Sequence, residues 1–163
     1  MTESDTNTIV RVRSLRPADA AAAAGLIRAA FAAQSRATDP PSGALGETTA
    51  SLAAKLAEGG GAGAEAEGAL VGVVLWAETE GALYIGRVSV MSAWRGRGLA
   101  RALLAAAEAE ARRRGLARRT LRVRLALDDN QRLFARFGFK PAGQGAHPGY
   151  AAPTFVVMEK RLD

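Results

Sequence analysis

The stretch of sequence that decides the fold lies just past the middle of the chain and reads Tyr84-Ile85-Gly86-Arg87-Val88-Ser89-Val90-Met91-Ser92-Ala93-Trp94-Arg95-Gly96-Arg97-Gly98-Leu99-Ala100. Its first part, up to Val90, favours a strand, and the apolar spacing from Gly98 to Arg114 favours a helix. Between them, Gly96 and Gly98 let the backbone come close to a ligand, and the N–H groups at the helix start point outward. The helix dipole adds positive charge there, as do three arginines, which are Arg95, Arg97 and Arg101. The segment therefore predicts a strand, a turn and a helix whose start suits a pyrophosphate.

Two other phosphate motifs can be tested on the same residues. A P-loop requires Gly-Lys followed by Ser or Thr, and the sequence contains no such triplet. A dinucleotide fingerprint requires a third glycine where Arg101 stands. A Gly-x-Gly turn also occurs where a helix merely packs on a strand. Judged from the two glycines alone, a purely structural role for this turn therefore stays open.

Outward from this segment, the sequence predicts the strands of a sheet with helices between them. The predicted strands are Ile9–Leu15, Ala69–Trp76, Ala82–Val90, Leu121–Leu125 and Thr154–Lys160. The predicted helices are a run from Pro17 to Ala33 and the segments Thr48–Glu58, Gly98–Arg114 and Asp128–Phe137. We expect Thr38–Gly46 to be a loop and Gly59–Gly61 to be a turn or flexible loop. In the fourth strand, Arg122 and Arg124 alternate with apolar residues, which indicates one exposed face.

Length and composition indicate one globular domain. The chain has 163 residues, of which 48% are hydrophobic and 23% charged, and this size suits a single core. We expect residues 1–8 to form a flexible tail and residues 9–163 to form the domain. The start of the chain lacks the pattern of a signal peptide, and no apolar run reaches the roughly 18 residues of a membrane span. We therefore expect a cytoplasmic protein that does not bind a membrane.

The residue types that carry metal and thiol chemistry are scarce. The chain has no Cys and a single His, which is His147. Disulfides, thiolate chemistry and a multi-histidine metal site are thus excluded. We expect no metal, and any nucleophile must come from a substrate.

The net charge of +6 is concentrated between Arg87 and Arg136, which favours a local anion site or a solvated basic face. The basic run Arg112–Arg119 also permits a nucleic-acid patch. However, Glu108 and Glu110 stand four residues before arginines, the spacing of helical ion pairs, and no aromatic residue interleaves with the run. We expect no nucleic-acid partner, although this function stays open as an alternative.

The central segment resembles motif A of the GNAT superfamily of N-acetyltransferases. The pattern of this motif is Arg/Gln-x-x-Gly-x-Gly/Ala, where x is any residue. Arg95, Gly98 and Ala100 fit this pattern, and Arg87–Val90 is similar to the family's central strand. Further along, Asn130–Phe139 resembles the family's helix that ends in Gly-Phe, and Met158–Leu162 resembles its last strand. The resemblance spans most of residues 70–162.

The resemblance implies a mixed α/β sheet with a GNAT-like acyl-CoA N-acyltransferase fold, in which two central parallel strands splay apart and a pantetheine arm enters the gap. It implies that acetyl-coenzyme A donates an acetyl group, and that a primary amine of a small molecule or protein attacks the thioester directly. The implied cofactor contacts are Val88, Ser89, Val90, Arg95, Gly96, Arg97, Gly98, Leu99, Ala100, Asn130 and Phe134. Asn130 equally suits a plain helix-start role.

The resemblance does not identify a catalytic acid or base. The family often has Tyr four residues before its Gly-Phe pair, where it can protonate the coenzyme A sulfur, and this chain has Phe134 at that place. The other side chains that can exchange a proton are Tyr84, His147, Tyr150, Glu78 and Glu80. Among these, His147 also suits a surface or turn role.

Three functions thus stay open at the level of sequence. They are an acetyltransferase, a module that binds acetyl-coenzyme A without catalysis, and a basic nucleic-acid-binding domain. We expect acceptor specificity in two irregular loops, Arg36–Gly46 and Gly143–Pro153. The acceptor, the acyl chain length and a homodimeric state are left open.

Overall fold

The computed structural model describes residues 9–34 and 37–162. The predicted flexible tail, residues 1–8, lies outside the described residues. So does residue 36, the first residue of one predicted specificity loop. That residues 9–163 form a single domain stays a prediction.

The described residues form one mixed sheet of seven strands. The strands are β1 Val10–Ser14, β2 Gly60–Ala66, β3 Ala69–Thr79, β4 Ala82–Val90, β5 Arg118–Arg124, β6 Lys140–Gly145 and β7 Phe155–Arg161. The helices are α1 Ala20–Ala32, α2 Thr49–Glu58, α3 Leu99–Arg113 and α4 Asp128–Arg136. The spatial order is β1-β2-β3-β4-β5-β7-β6, in which β4 and β5 are parallel and the other neighbours are antiparallel.

Helices cover both faces of the sheet. α1 and α2 pack on one face, over a cluster that includes Ile27, Leu52 and Val73. α3 and α4 lie on the other face, against a larger cluster that includes Leu103 and Phe139. Because both faces are covered, β3 is an almost continuous run of buried apolar residues rather than an alternating one.

The predicted mixed sheet is confirmed, and most predicted elements lie where the sequence indicates. β4 has the predicted bounds, α1 to α4 differ from the predicted helices by a few residues at their ends, and Thr48 caps α2 through its side chain. Trp76 is buried in the core. Among the described residues, no helix combines the length and hydrophobicity that a membrane span requires.

The glycine-rich stretch after α2 is a strand, and the expectation of a turn or flexible loop at Gly59–Gly61 is wrong beyond Gly59, which ends the helix. β2 pairs with β1 and β3 and is largely buried. A Cβ at Gly61 would lie 2.5 Å from the carbonyl oxygen of Val74, and one at Gly63 would lie 2.6 Å from a methyl carbon of Leu70. Close packing across the sheet therefore requires glycine, although glycine is disfavoured in strands by its local propensity.

β6 is a second strand that the sequence does not indicate. Lys140–Gly145 has no apolar alternation, and most of its residues are exposed at the edge of the sheet. Its strand conformation comes from pairing with β7. The predicted irregular loop Gly143–Pro153 is thus a strand as far as Gly145.

The packing of β2 predicts the cost of adding one methyl group. Gly61→Ala should lower the free energy of unfolding by about 1–3 kcal/mol, because the new Cβ meets backbone that cannot move aside. Gly143→Ala is the matched control, since no atom lies within 4 Å of a Cβ there and its φ is not positive. Its unfolding free energy should change by no more than about 0.5 kcal/mol. Urea unfolding measures both, and equal stability of the two variants would contradict this account of β2.

Candidate active site

The sheet opens at its centre, where β4 and β5 separate. The two strands pair in parallel over two rungs, which are Leu83–Arg119 and Tyr84–Thr120. Beyond them, β4 stays paired with β3 as far as Val90, and β5 stays paired with β7 as far as Arg124. Because each strand follows its outer neighbour, the facing edges diverge. The predicted splayed central strands are therefore confirmed.

A β-bulge in β4 lies in the open part of this strand. Leu75 pairs with Gly86 and Val73 pairs with Ser89, so that two residues of β4 lie opposite one residue of β3. One of the two is Arg87, whose φ of +55° is in the left-handed region. Since a bulge bends and twists its strand, it changes the course of β4 at the level of the gap.

The gap leads to the glycine turn at the start of α3. Gly96 and Gly98 have φ values of +77° and +80°, and no protein atom lies within 4 Å of a Cβ at either position. Glycine is thus required by backbone conformation, and the space above the turn is open. The first backbone hydrogen bond of the helix runs from Ala102 to Gly98. The N–H groups of the first turn, at residues 99–101, have no acceptor within the helix and point outward.

Positive charge surrounds the turn. The Arg97 guanidinium lies 4.6 Å from the ring centre of Trp94, and the Arg101 guanidinium lies 5.0 Å from that of Phe137. Over residues 9–34 and 37–162, no ion pair joins Arg95, Arg97 or Arg101 to a carboxylate. Aromatic faces hold two of these cations without neutralising them, so the turn combines free N–H donors, the helix dipole and uncompensated charge.

One continuous cleft joins the gap, the turn and the inner side of α4. It encloses about 1530 Å³ and is lined by the predicted cofactor residues Val88, Ser89, Val90, Arg95, Gly96, Gly98, Leu99, Ala100, Asn130 and Phe134. The remaining one, Arg97, lies beside Trp94 instead. Drug-sized ligands typically occupy 300–1,000 Å³, so a cleft of this size has room for two substrates together.

The family model for the acetyltransferase (GNAT) family matches residues 29–139 of this sequence. The chain belongs to the GNAT acetyltransferase family. General acyltransferase activity follows from this membership, whereas the acceptor does not. No curated protein sequence matches the chain significantly.

Solved structures of GNAT proteins share the fold. A PaiA N-acetyltransferase from Thermoplasma acidophilum in complex with coenzyme A is 15% identical, with a TM-score of 0.79 over 94% of this chain and 99% of that one. The yncA protein of Salmonella typhimurium, solved with its cofactor acetyl-CoA, is 23% identical, with a TM-score of 0.70 over 96% and 95%. The Escherichia coli ribosomal-protein-S18-alanine N-acetyltransferase is 18% identical, with a TM-score of 0.72 over 94% of each chain.

Two of the predicted acid–base candidates of this GNAT chain line the cleft. Tyr84 lies on the last paired rung of β4, with its ring along the strand, so that its hydroxyl is 4.0 Å from the position of a Cβ on Gly86. His147 lies in the loop between β6 and β7. Glu78 and Glu80 do not line the cleft, since Glu78 faces Arg114 at 3.9 Å and Glu80 is in the turn after β3.

His147 is held in a defined position. Its ring packs edge-to-face on Phe155 and Tyr150, its backbone N–H donates to the Thr154 hydroxyl, and its Nδ1 is in hydrogen-bond contact with the same hydroxyl. Burial and the nearby cations Arg124 and Arg122 lower the pKa of His147 below 6.5. The imidazole is therefore neutral at pH 7 and can accept a proton.

The two predicted specificity loops meet beside the cleft. The Tyr150 hydroxyl donates a hydrogen bond of 2.6 Å to Asp39, and this bond raises the pKa of Tyr150. Arg124 donates to the carbonyl oxygens of Pro40 and Pro41 at 2.6 and 3.4 Å. Tyr150 is thus engaged in joining the loops and does not line the cleft.

A buried carboxylate beside the cleft is absent from the sequence-based set of candidates. Glu47, 3% exposed, accepts hydrogen bonds from Lys55 at 2.5 Å, from Ser51 at 2.8 Å and from Arg87 of the β4 bulge at 3.0 Å. We call these four residues the Glu47 cluster. Its members are up to 40 residues apart in sequence. The sequence alone offers one indication of this cluster, which is that Glu47 directly precedes Thr48, the cap of α2.

Hydrogen bonding keeps Glu47 charged despite its burial. Burial alone would raise the pKa of this carboxyl, but the hydrogen bonds from Lys55, Ser51 and Arg87 outweigh it and hold the pKa below 4.5. A group whose pKa is depressed by folding stabilises the protein above its unfolded-state pKa and loses this contribution as the pH falls.

The Glu47 cluster predicts a pH-dependent loss of stability. Glu47→Gln should lower the unfolding free energy at pH 7 by about 1–3 kcal/mol, because Arg87 and Lys55 lose a charged partner but keep part of their contact with water. The difference in unfolding free energy between this variant and the unmodified protein should shrink as the pH falls from 4.5 through the folded-state pKa of Glu47. Urea unfolding from pH 7 to pH 3 measures it, with Glu58→Gln, an exposed position of α2, as the control. A difference that does not depend on pH would show that charge is not its cause.

Proposed function

We propose that this GNAT protein is an N-acetyltransferase that transfers the acetyl group of acetyl-coenzyme A to a primary amine of a small molecule or protein. The observation that carries the proposal is the gap between β4 and β5, which opens onto the free N–H groups of α3. A strand edge without its neighbour and a cationic helix start suit the two chemically different parts of coenzyme A, its amide arm and its pyrophosphate.

The cofactor contacts in this proposal follow from those two features. The backbone of Val88 and Val90, on the open edge of β4, would pair with the amide groups of the pantetheine arm. Residues 95–100 would hold the pyrophosphate, and Ser89 would stay internal, because its hydroxyl donates to the carbonyl oxygen of Arg87 at 2.9 Å. Asn130 and Phe134 would contact the arm from α4.

Acetyl transfer requires two proton movements besides the substitution. The C–N bond forms as the C–S bond breaks, one proton leaves the ammonium before attack, and one passes from the nitrogen to the departing sulfur. The chain must therefore supply an acceptor and a donor of protons, or leave these roles to water. The cleft offers two side chains of suitable chemistry, His147 and Tyr84.

Tyr84 suits the role of proton donor. Its hydroxyl lies beside Gly86, where β4 has already lost its pairing with β5, so it faces the gap in which the thioester would lie. His147 suits the role of proton acceptor, because it is neutral at pH 7 and lines the same cleft. Tyr150 suits neither role, since its hydroxyl is bonded to Asp39.

A non-catalytic module that binds acetyl-coenzyme A is the second candidate function. The observation that favours it is Phe134, which lines the cleft with a ring that has no hydroxyl and packs against Phe139. Measurable turnover with any amine would reject this candidate.

A nucleic-acid-binding function has less support. Arg112 and Arg119 contact Glu108, Arg113 and Arg114 contact Glu110, and Arg118 contacts Glu159. Each of these five arginines thus has a carboxylate partner within the protein, which makes it less available to the phosphates of a nucleic acid.

The proposed cofactor site predicts stabilisation by ligand. Acetyl-coenzyme A at 100 times its Kd should add about 2.7 kcal/mol, which raises the Tm by about 5–10 °C in a chain of this size. Gly98→Glu should abolish the shift by placing a carboxylate at the pyrophosphate position.

Gly115→Glu is the control for the change at Gly98. Gly115 also has a positive φ and open space, at the opposite end of α3, so the strain and the charge change are matched. Thermal unfolding with acetyl-coenzyme A, coenzyme A and ATP measures the effect. No shift with the coenzyme A ligands, or an equal loss in both variants, would remove the proposed site.

The proposed role of Tyr84 predicts a loss confined to kcat. Tyr84→Phe should lower kcat by about 100- to 10,000-fold, the usual contribution of a positioned acid. It should preserve the thermal shift with acetyl-coenzyme A, because the ring that packs in the cleft is unchanged. Tyr150→Phe, which removes a hydroxyl outside the cleft, should leave kcat within about tenfold. If kcat of Tyr84→Phe stays at the unmodified level, water or another group donates the proton.

A further inference from the structure

The wall of the cleft opposite the glycine turn carries arginines from β5. Leu121 and Val123 of this strand are buried against α3 and α4, so Arg122 and Arg124 point to the other side of the sheet. Tyr84 of β4 lies on that same side, and all three line the cleft. The face that the alternation of the sequence predicts to be exposed therefore forms part of the wall of the cleft.

Arg122 is a cation held in place without being neutralised. Its guanidinium lies 4.7 Å from the ring centre of Phe155 and 5.8 Å from that of Tyr84. In the part of the chain that the structure describes, no carboxylate forms an ion pair with it. Flanking aromatic rings restrict the side chain and leave its five N–H donors available to an acceptor group. Such an arrangement suits a ligand that carries an oxyanion.

Arg124 extends the same positive wall. Its hydrogen bonds go to two neutral carbonyl oxygens, those of Pro40 and Pro41, and it is half-buried. Two residues along a strand on one face are about 7 Å apart, so both guanidinium groups act on the same part of the cleft. The carboxylates that line the cleft, Glu58, Asp128 and Asp129, form no ion pair with either arginine within residues 9–34 and 37–162.

The field of this wall acts on titratable groups in the cleft. Besides burial, Arg124 and Arg122 are the causes of the lowered pKa of His147. A bound ammonium group would experience the same field, which favours its neutral, nucleophilic form. An amine whose only charge is positive would be repelled, whereas an amine with an added oxyanion would be attracted and oriented.

We propose that the acceptor is an amine that also carries a carboxylate, and that Arg122, assisted by Arg124, binds this carboxylate. The proposal rests on the proposed acetyltransferase function and names its substrate class. A free amino acid and the N-terminus of an acidic peptide both present this chemistry, and the test below separates the two sources.

The test compares acceptors that differ in one charge. Acetyl transfer is measured as release of the coenzyme A thiol with β-alanine, γ-aminobutyrate, L-methionine and L-phenylalanine, each against its carboxamide. A peptide beginning Ala-Asp-Glu is measured against one beginning Ala-Asn-Gln. The protein is tested unmodified and as Arg122→Gln, Arg122→Lys and Arg11→Gln. Arg11 is an exposed strand arginine outside the cleft and is the matched control.

We expect kcat/KM of the unmodified protein to be at least about tenfold higher for the carboxylate than for the carboxamide in one or more pairs, the usual strength of a charged hydrogen bond. Arg122→Gln should remove this preference through the KM of the acceptor, with an unchanged KM for acetyl-coenzyme A. Arg122→Lys should restore part of it, and Arg11→Gln should not alter it. Each kcat/KM is expressed per concentration of neutral amine, because the carboxylate of a pair raises the amine pKa, and this difference also cancels when one amine is compared across variants.

The outcomes separate this proposal from the proposed function. Turnover without a preference for carboxylates, or a preference that survives Arg122→Gln, would overturn the proposal while the acetyltransferase function stands. If no amine is acetylated, the same compounds are titrated by calorimetry into the protein with coenzyme A. Binding of the carboxylates that is lost in Arg122→Gln would support the proposed carboxylate site. Absence of binding would overturn the proposal. Absence of coenzyme A binding itself would reject the function.

Discussion

The separation of β4 from β5 after two hydrogen-bonded rungs is the constraint on which the rest of this structure depends. A parallel pair at the centre of a sheet would normally be closed and buried. Here the pairing of each strand with its outer neighbour continues while the pairing between them stops. The opening exposes backbone groups of β4 along an edge inside the molecule, and it joins the two faces of the sheet into one cleft with α3 at one end.

The parted strands are supported from the side of α1 and α2. The bulge at Arg87 bends β4, and the Arg87 side chain reaches Glu47, which also binds Lys55 and Ser51 of α2. The carbonyl oxygen of Glu47 accepts a further hydrogen bond from Arg28 of α1. Glu47 thus connects both helices to the bend in the strand, α2 through its carboxylate and α1 through its carbonyl oxygen. Since the Glu47 carboxylate is charged and buried, it must have hydrogen-bond partners, and this requirement fixes the positions of the groups around it.

The arginines of this protein serve different purposes that their sequence context does not distinguish. Those at the end of α3 form ion pairs with Glu108 and Glu110 on the outer surface. Arg101 at the glycine turn and Arg122 and Arg124 of β5 lie against aromatic rings or carbonyl groups and line the cleft. Within residues 9–34 and 37–162, arginines that form no ion pair with a carboxylate therefore line the cleft both at the glycine turn and on β5.

The sequence by itself determined the strand, turn and helix of residues 84–114, because apolar periodicity, two glycines with positive φ and the helix start are local properties. It also indicated the family, since those residues and the Gly-Phe helix form two sequence motifs in the family's order. Only the tertiary structure decided that Gly60–Ala66 is a buried strand, that Glu47 binds Arg87, and that Arg122 lines the cleft. These features depend on segments far apart in the chain, and a residue's own neighbours in sequence do not report which side chains the fold brings against it.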